Sequence, residues 1–324
     1  MKGEKPAEPI LLEEIRAARG RIAGSAIRTP TVRLGLEDAP AEIWLKLENL
    51  QPIGSFKLRG AGNAMALADP ELLARGVYTA SAGNMGQGVA WNARRLGVSC
   101  TVVVPENAPE TKLAAITRMG AEIVKLPFDE WWQVLATHGY EPLGDRLFIH
   151  PVSDRAVMAG NGTIGLEILD DVPDVDAVIV PYGGGGLSCG IASALRALKP
   201  GVKVFAAEVE TAAPLAASLR AGTPTEATYE ASFVDGIGSR SVLEEMWPLA
   251  TRLLDGSIVV PVAEVASAVR LLAERNRVIA EGAGAASVAA ALTGGAGSGT
   301  VVCVISGGNI DSGKLARILA GEVP

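Results

Sequence analysis

The sequence has few of the side chains on which many hydrolases and metal sites depend. Its 324 residues include two histidines and three cysteines. The histidines, His138 and His150, form no HExxH motif and no other pattern typical of a paired-histidine zinc site. A G-x-S-x-G match surrounds Ser188, but a nucleophile elbow needs a histidine later in the chain, and both histidines precede this serine. The sequence therefore argues against a zinc hydrolase and against a serine hydrolase of this type.

The cysteines, Cys100, Cys189 and Cys303, stand far apart and lack the spacing of a metal site. This usage is typical of small buried apolar side chains in a reducing compartment. His150 follows the strand-like residues 147–149, and we expect it to be a hydrogen-bonded histidine with a structural role at a strand end.

An excess of positive charge and long hydrophobic runs are also absent. The net charge of −7 argues against nucleic acid as a partner, because surfaces that bind nucleic acid are usually basic. No apolar run approaches transmembrane length, and residues 1–9 lack the apolar core of a secretory leader. We expect a cytoplasmic protein that binds a small molecule and neither nucleic acid nor a membrane. At 48% hydrophobic residues, the chain can form one large or two modest domains.

No linker rich in proline, glycine or serine divides the chain, and no internal repeat is visible. Short β-branched runs alternate with stretches rich in alanine and leucine. The runs are apolar throughout, which is typical of parallel strands covered on both faces, and the alternation predicts a doubly wound α/β organisation. The predicted strands are 43–47, 76–79, 101–104, 121–124, 177–180, 204–207 and 301–305, and the predicted helices include 88–96, 108–119, 187–198 and 262–279.

Lys57 stands out because of its neighbours in residues 54–60, which read Gly-Ser-Phe-Lys-Leu-Arg-Gly and follow the strand-like residues 43–47. Phe56 and Leu58 predict partial burial of the lysine, and burial disfavours its ammonium form. A neutral amine of this kind can form a Schiff base with an aldehyde cofactor.

Four consecutive glycines, residues 183–186, follow the predicted strand 177–180, and a helix is predicted to open at Ser188. Glycines let backbone amides approach an anion closely, and the N-terminus of a helix adds a favourable dipole. The segment predicts a phosphate site, with an ordinary glycine-rich turn as the alternative.

A dinucleotide-binding fingerprint is a second interpretation of the same segment. Gly184 and Gly186, with Glu208 at the end of the next strand, have part of the required spacing. Cys189 stands where that motif needs a third glycine or an alanine, and a nicotinamide cofactor would leave Lys57 without a role.

Two further motifs follow predicted strands. Residues 81–84, Ser-Ala-Gly-Asn, follow strand 76–79 and open a helix whose exposed amides suit a carboxylate, with an ordinary N-cap as the alternative. Residues 306–309, Ser-Gly-Gly-Asn, follow strand 301–305.

With these four motifs in this order, the chain resembles the fold-type II pyridoxal-phosphate (PLP) enzymes, specifically the threonine/serine dehydratase family, from about residue 28 to residue 311. The resemblance implies an α/β fold like that of the tryptophan synthase β subunit, with two open, twisted, mostly parallel sheets flanked by helices. It also implies a large PLP-binding domain from residues 1–52 and 153–324, and a small domain from residues 53–152.

By this resemblance, Lys57 carries PLP as a Schiff base and then removes the Cα proton of a 3-hydroxy amino acid, which becomes a 2-oxo acid and ammonia. Asn84 is implied to bond the 3′-oxygen of the cofactor, and Ser306 the pyridine nitrogen. The implied cofactor-binding residues are Phe56, Lys57, Asn84, Gly183, Gly184, Gly185, Gly186, Leu187 and Ser306. The implied substrate-binding residues are Ser81, Ala82, Gly83, Asn84 and Met85.

Three positions bear on the subclass. Leu58 stands where related cysteine and threonine synthases carry aspartate, and Ala82 where serine racemases carry a serine that acts as the second acid and base. Both favour an L-threo-3-hydroxy amino acid dehydratase, with a racemase or a β-replacing enzyme of the same fold as the alternative. Met85 stands where the family usually carries a histidine, and together with residues 128–132, Phe-Asp-Glu-Trp-Trp, it makes the chain similar to the phenylserine dehydratases. A structural role for both tryptophans is the alternative to a role in the pocket. Phenylserine and threonine are the expected substrates, with phenylserine ahead because of Met85.

The resemblance also implies a cation near the phosphate site, held by Glu208 and backbone carbonyls. Pro214 stands where serine racemases carry a further carboxylate, which weakens the case for Mg²⁺ and allows a monovalent ion such as K⁺. A strand-end salt bridge is the alternative role for Glu208. Dimers are common in the family, so a homodimer is expected.

Overall fold

The computed structural model describes residues 8–324. Residues 1–7 lie outside the described residues. They belong to the predicted large domain and to the segment predicted to lack the apolar core of a secretory leader. The helices are α1 Leu12–Ile22, α2 Lys57–Leu67, α3 Pro70–Ala74, α4 Asn84–Leu96, α5 Glu110–Arg118, α6 Phe128–Ala136, α7 Arg155–Asp171, α8 Gly186–Leu198, α9 Pro214–Ala221, α10 Trp247–Leu253, α11 Val262–Leu271, α12 Gly282–Leu292 and α13 Ser312–Leu319. The strands are β1 Thr31–Arg33, β2 Glu42–Lys46, β3 Val77–Ala80, β4 Cys100–Pro105, β5 Glu122–Leu126, β6 Leu147–Phe148, β7 Ala177–Pro181, β8 Lys203–Val209, β9 Gly256–Val260 and β10 Thr300–Val304.

These strands form two sheets. The six-stranded sheet has the order β1-β2-β10-β7-β8-β9, and within it β1 runs antiparallel to β2 while the other neighbours are parallel. The four-stranded sheet has the order β5-β4-β3-β6 and is parallel throughout. The predicted α/β fold with two mostly parallel sheets is confirmed. Every predicted strand is present with its ends shifted by at most two residues, and β6 coincides with the strand-like residues 147–149, while β1 and β9 lie outside the predicted set.

Both faces of the six-stranded sheet are buried. Along β10, Val302 and Val304 belong to one apolar cluster, whereas Val301 and Cys303 belong to the cluster on the other side. Because helices cover both faces, the strand is apolar at successive positions instead of alternating with polar residues. All three cysteines are buried free thiols, as predicted.

Some helices begin or end away from their predicted limits. Helix α4 begins at Asn84 rather than Gly88. Helix α11 passes into a π-helical turn, Leu272–Asn276, and ends at Arg277, which has a φ of +59°, whereas the predicted helix continued to Ile279. Among the described helices, none is long and apolar enough to cross a membrane.

The sheet topology brings the predicted motifs to strand ends. The loops after β3, β7 and β10 carry the motifs at residues 81–84, 183–187 and 306–309, each at the carboxyl end of a parallel strand. Ligand sites in open α/β sheets commonly form at such ends. The chain passes to the four-stranded sheet before α2 and returns between β6 and α7. The proposed small domain, residues 53–152, contains all four strands of that sheet, and its boundaries stay a prediction.

Candidate active site

Lys57 is the first residue of α2, and it lines a cavity of about 200 Å³. Its amine donates a hydrogen bond from Nζ to the carbonyl oxygen of Pro151 at 3.0 Å. Burial lowers the pKa of this amine to about 8, while the negative charge of Glu281 opposes the shift. Phe56 is also part of the cavity wall, with its ring centroid 5.2 Å from Nζ. At this pKa, a substantial fraction of the Lys57 amine is neutral near pH 8, as a nucleophile or a base requires.

A buried ion network holds the start of α2. Arg59 pairs with Glu48 at 2.8 Å and with Glu167 at 2.7 Å, and Lys46 pairs with Glu167 at 2.7 Å. All four side chains are buried, so each charge depends on its partners for stabilisation. The network connects α2 with β2 and α7 and thereby fixes the segment that begins with Lys57.

The glycine loop, residues Gly183 to Leu187, forms another wall of the cavity. Helix α8 begins inside it, at Gly186 and not at Ser188 as predicted. None of the five backbone amides of the loop donates a hydrogen bond to another residue of the described chain. Gly185 has a φ of +97°, which favours glycine. Unpaired amides at the N-terminus of a helix form a suitable site for a phosphate group.

The glycine loop also lies against the turn formed by residues 150–153. A Cβ atom added at Gly186 would lie 2.5 Å from the carbonyl oxygen of Val152, and one added at Gly184 would lie 2.6 Å from a Val152 methyl group. Positions 184 and 186 therefore have no room for a larger residue unless this turn moves.

The loop after β3 contributes only some of its predicted residues to the cavity. Ser81, Asn84 and Met85 line it, whereas Ala82 and Gly83 are not among the lining residues. Met85 is 1% exposed and belongs to the buried apolar cluster around α4 and β4. The packing of Met85 gives it a place in the hydrophobic core as well as at the cavity wall.

Asn84 is oriented by two hydrogen bonds. Its Nδ2 donates to Oε1 of Glu281 at 2.8 Å, and its Oδ1 accepts from Nδ2 of Asn309 at 2.8 Å. Asn309 Nδ2 also donates to the carbonyl oxygen of Ile53 at 2.9 Å. The loops after β3 and β10 are thus joined at the cavity.

Two carboxylates of the cavity, Glu281 and Asp235, are absent from the predicted site. Burial raises the pKa of Glu281 to about 7, and the negative charge of Asp235 adds to this shift. Asp235 forms an ion pair with Lys112 at 2.7 Å. The sequence signal that could have found Glu281 is the glycine- and alanine-rich segment 281–285, which opens α12 much as the other motifs open their helices.

Ser306 follows β10, lines the cavity and is 4% exposed. Its carbonyl oxygen accepts a hydrogen bond from the amide of Phe56 at 3.0 Å, which joins this loop to the Lys57 segment. The residues present fit PLP: an amine for its aldehyde, unpaired amides for its phosphate, and the polar side chains of Asn84 and Ser306 for its ring substituents. These individual assignments stay predictions.

Glu208 lies on β8 and is not among the cavity residues. Its carboxylate accepts hydrogen bonds from the amides of Leu215 and Ala216, both at 2.8 Å, and from Oγ of Ser257 at 2.5 Å. Burial raises the pKa of Glu208 against the effect of these bonds. Residues 8–324 contain no group of three or more His, Cys, Asp or Glu side chains that could hold a metal ion. The cation predicted at Glu208 stays a prediction without support from a ligand cluster.

Comparison with known proteins identifies similar chains. Residues 22–307 match the family model described as pyridoxal-phosphate dependent enzyme. The chain is 40% identical over 315 residues to an L-threonine ammonia-lyase of Thermotoga maritima, with 96% of this chain and 78% of that protein covered. It is 37% identical over 317 residues to the catabolic L-threonine dehydratase TdcB of Escherichia coli K12, with 96% of each chain covered.

Solved structures of similar chains share the fold. The structure of maize serine racemase has a TM-score of 0.89 and 32% identity, and covers 97% of this chain and 98% of that one. A threonine deaminase from T.th. has a TM-score of 0.85 and 35% identity, and covers 93% of this chain and 98% of that one. With a family match across most of its length and relatives above 30% identity, the chain belongs to the family of pyridoxal-phosphate dependent enzymes.

Proposed function

We propose that this chain is a PLP-dependent L-threonine ammonia-lyase that converts L-threonine to 2-oxobutyrate and ammonia. The observation that carries the proposal is one cavity that combines the Lys57 amine with the unpaired amides of the glycine loop. Curated relatives with 37% and 40% identity are named as L-threonine dehydratase and ammonia-lyase, which supports threonine as the substrate.

Lys57 serves as the base that removes the Cα proton. Its neutral amine accepts this proton through the nitrogen lone pair, while one N–H remains donated to the Pro151 carbonyl oxygen. That hydrogen bond limits the directions in which the lone pair can point. PLP, when bound, supplies the conjugated ring that stabilises negative charge at Cα.

The other cavity residues bind the cofactor and orient the substrate. The five amides of the glycine loop hold the phosphate of the cofactor, and Ser306 is placed for its pyridine nitrogen. Ser81 and Asn84, which flank the start of α4 and line the cavity, are placed for the carboxylate of the substrate. A hydroxyl partner such as Ser306 does not enforce a protonated pyridinium, which suits elimination better than transamination.

The overall reaction balances without an added oxidant or reductant. L-Threonine loses its Cα proton and its β-hydroxyl group as one water molecule, which gives an enamine. The enamine takes up a proton at carbon to become an imine, and one water molecule then hydrolyses the imine to 2-oxobutyrate and ammonia.

The surroundings of Met85 favour threonine over phenylserine. Met85 lines the cavity, but its side chain is also packed in the apolar core, so it gives little support to an enlarged aryl pocket. Trp131 donates from Nε1 to the carbonyl oxygen of Val103, and neither Trp131 nor Trp132 lines the cavity. Trp131 thus has a hydrogen-bonded place beside β4, and Trp132 is 39% exposed, so neither tryptophan supports an aryl pocket at this cavity.

The experiment that tests the proposal is a parallel assay with L-threonine, L-threo-phenylserine and L-serine. The visible spectrum of the PLP-loaded protein is recorded with each substrate, and 2-oxo acid and D-amino acid products are quantified. Fastest release of 2-oxobutyrate supports the proposal. Fastest release of phenylpyruvate would assign an aryl substrate, and accumulation of D-amino acid would assign a racemase, as some solved relatives are named. A protein that takes up no PLP would contradict the whole assignment.

We also retain two predictions for this enzyme, a homodimer and a cytoplasmic location. Light scattering at several protein concentrations tests the first, and cell fractionation tests the second.

A further inference from the structure

The turn formed by residues 150–153 contacts two walls of the cavity. It connects β6 with α7 and so returns the chain from the four-stranded sheet. The carbonyl oxygen of Pro151 accepts the hydrogen bond from Lys57 Nζ at 3.0 Å. The next residue, Val152, lies against Gly184 and Gly186 of the glycine loop. A small change in this turn would therefore affect the amine and the loop together.

The His150 side chain accepts hydrogen bonds from the backbone of this turn. Its Nδ1 accepts the amide of Ser153 at 2.9 Å and the amide of Val152 at 3.2 Å. The hydroxyl group of Ser153 lies 2.9 Å from the same nitrogen. Pro151 has no N–H of its own, and among the described residues these two amides donate nowhere else. The imidazole is thus the acceptor that keeps the turn closed.

The protonation state of the His150 ring follows from these hydrogen bonds and from its burial. Because Nδ1 accepts hydrogen bonds from two amides, the ring proton is assigned to Nε2, and the backbone of Leu135 raises the pKa of the ring against the larger effect of burial. Burial lowers the pKa of His150 to about 3, with the neighbouring charges of His138 and Lys57 acting in the same direction. The ring is therefore neutral at working pH, and Nδ1 stays available as an acceptor.

The elements on either side of the turn are held by other bonds. Before it, the Thr79 hydroxyl donates to the carbonyl oxygen of Ile149 at 2.8 Å. After it, the Asp154 carboxylate accepts the first amides of α7. Neither bond reaches Pro151, so the direction of its carbonyl group depends on the His150 ring.

We propose that His150 is a positioning residue for Lys57, because its Nδ1 closes the turn that aims the Pro151 carbonyl oxygen at the Lys57 amine. The inference rests on the part of the proposed function in which Lys57 takes up PLP, and it is independent of the amino acid that is dehydrated. His150 touches neither substrate nor cofactor in this role.

The test compares His150→Asn with His150→Gln. An asparagine side chain places an acceptor near the position of Nδ1, whereas a glutamine side chain places its amide near the position of Nε2 and leaves the position of Nδ1 without an acceptor. Both replacement side chains are neutral amides, so comparing the two variants distinguishes the role of Nδ1 from that of Nε2 with little change in polarity. His138→Phe serves as the control, because His138 stacks on His150 with 4.3 Å between centroids but donates nothing to the turn.

The measured quantity is the rate at which the apoprotein takes up PLP, followed by absorbance and by borohydride trapping with mass analysis of the Lys57 peptide. We expect His150→Gln to slow uptake about tenfold, which is the effect of losing the one hydrogen bond that holds the Lys57 amine on the Pro151 carbonyl oxygen. His150→Asn should remain within about threefold of the wild type. His138→Phe should leave the rate unchanged.

Equal rates for all variants would overturn the proposal. It would also be overturned if the Asn variant were as slow as the Gln variant, or if His138→Phe slowed uptake to the same extent, because both results indicate general packing. Thermal unfolding of each apoprotein shows whether the variant is folded. If the Gln variant does not fold, His150→Asn compared with His150→Ser gives the same test, since serine is too short to reach the two amides from this position.

Discussion

Gly186→Ala adds one methyl group at the first residue of α8, where the glycine loop meets the turn at residues 150–153. The added Cβ would lie 2.5 Å from the carbonyl oxygen of Val152 and 3.2 Å from its carbonyl carbon. An ordinary contact begins at about 3.4 Å, so the backbone must separate by nearly 1 Å. A backbone carbonyl cannot turn aside as a flexible side chain can. The clash therefore moves either the phosphate-binding amides or the turn beside Lys57.

The expected cost follows from this geometry. Inserting a methyl group into a well-packed region typically costs about 1–3 kcal/mol. If the strain is relieved mainly by displacing the loop, PLP affinity falls by roughly fivefold to 140-fold, since about 1.4 kcal/mol corresponds to a factor of ten. Gly183→Ala is the matched control, because its Cβ would have its nearest neighbour, the Gly236 carbonyl oxygen, at an ordinary 3.5 Å.

The assay is a PLP titration of both apoproteins, with thermal unfolding to compare their stability. We expect Gly186→Ala to bind PLP at least about fivefold more weakly than Gly183→Ala, as the lower end of the overpacking cost implies. Equal affinities for the two variants would refute the geometric reasoning. A weaker affinity of Gly183→Ala alone would show that the methyl group at 183 meets the cofactor.

Three further predictions concern other parts of the molecule. The rate of PLP uptake by the apoprotein should rise about tenfold per pH unit and level off above about pH 8. The reason is that the Lys57 pKa is lowered to about 8 and only the neutral amine reacts. A rate that does not change with pH in stopped-flow absorbance would contradict this. Arg59→Met leaves two buried carboxylates short of a partner and should lower the free energy of unfolding in urea by about 3–5 kcal/mol, whereas Arg317→Met in an exposed ion pair should cost at most about 1 kcal/mol. Met85→Ala should lower the free energy of unfolding by about 2–5 kcal/mol and leave the ratio of threonine to phenylserine turnover nearly unchanged. An altered ratio with intact stability would show that Met85 selects the substrate.

The strands were predictable because their environment is uniform. Helices cover both faces of the six-stranded sheet, so every position along β7 and every position after Thr300 along β10 carries an apolar side chain, and the run is visible in the sequence. Strand β1 has three residues at a sheet edge and β9 begins with glycine, so neither produces a continuous apolar signal. The loop motifs were found because glycine is required where a backbone approaches a ligand or another backbone closely.

The side chains around the cavity were harder to predict. Successive residues of a helix point about 100° apart, so the position of Met85 next to Asn84 does not decide which of them faces the cavity. Glu281 is a single carboxylate far from Asn84 in the sequence, and only the fold brings the two together. Its raised pKa arises from burial, which depends on the complete tertiary structure.

The interpretation of His150 shows that a structural and a functional role can reside in the same hydrogen bonds. The sequence predicts a hydrogen-bonded histidine at a strand end, and the structure confirms this. The turn that the ring closes also contacts Lys57 through Pro151 and Gly186 through Val152. If both effects pass through this turn, the double variant His150→Gln/Gly186→Ala should slow PLP uptake by less than the product of the single effects, since a turn already displaced cannot be displaced to the same extent again. Strictly multiplicative effects would mean that the amine and the glycine loop are held independently.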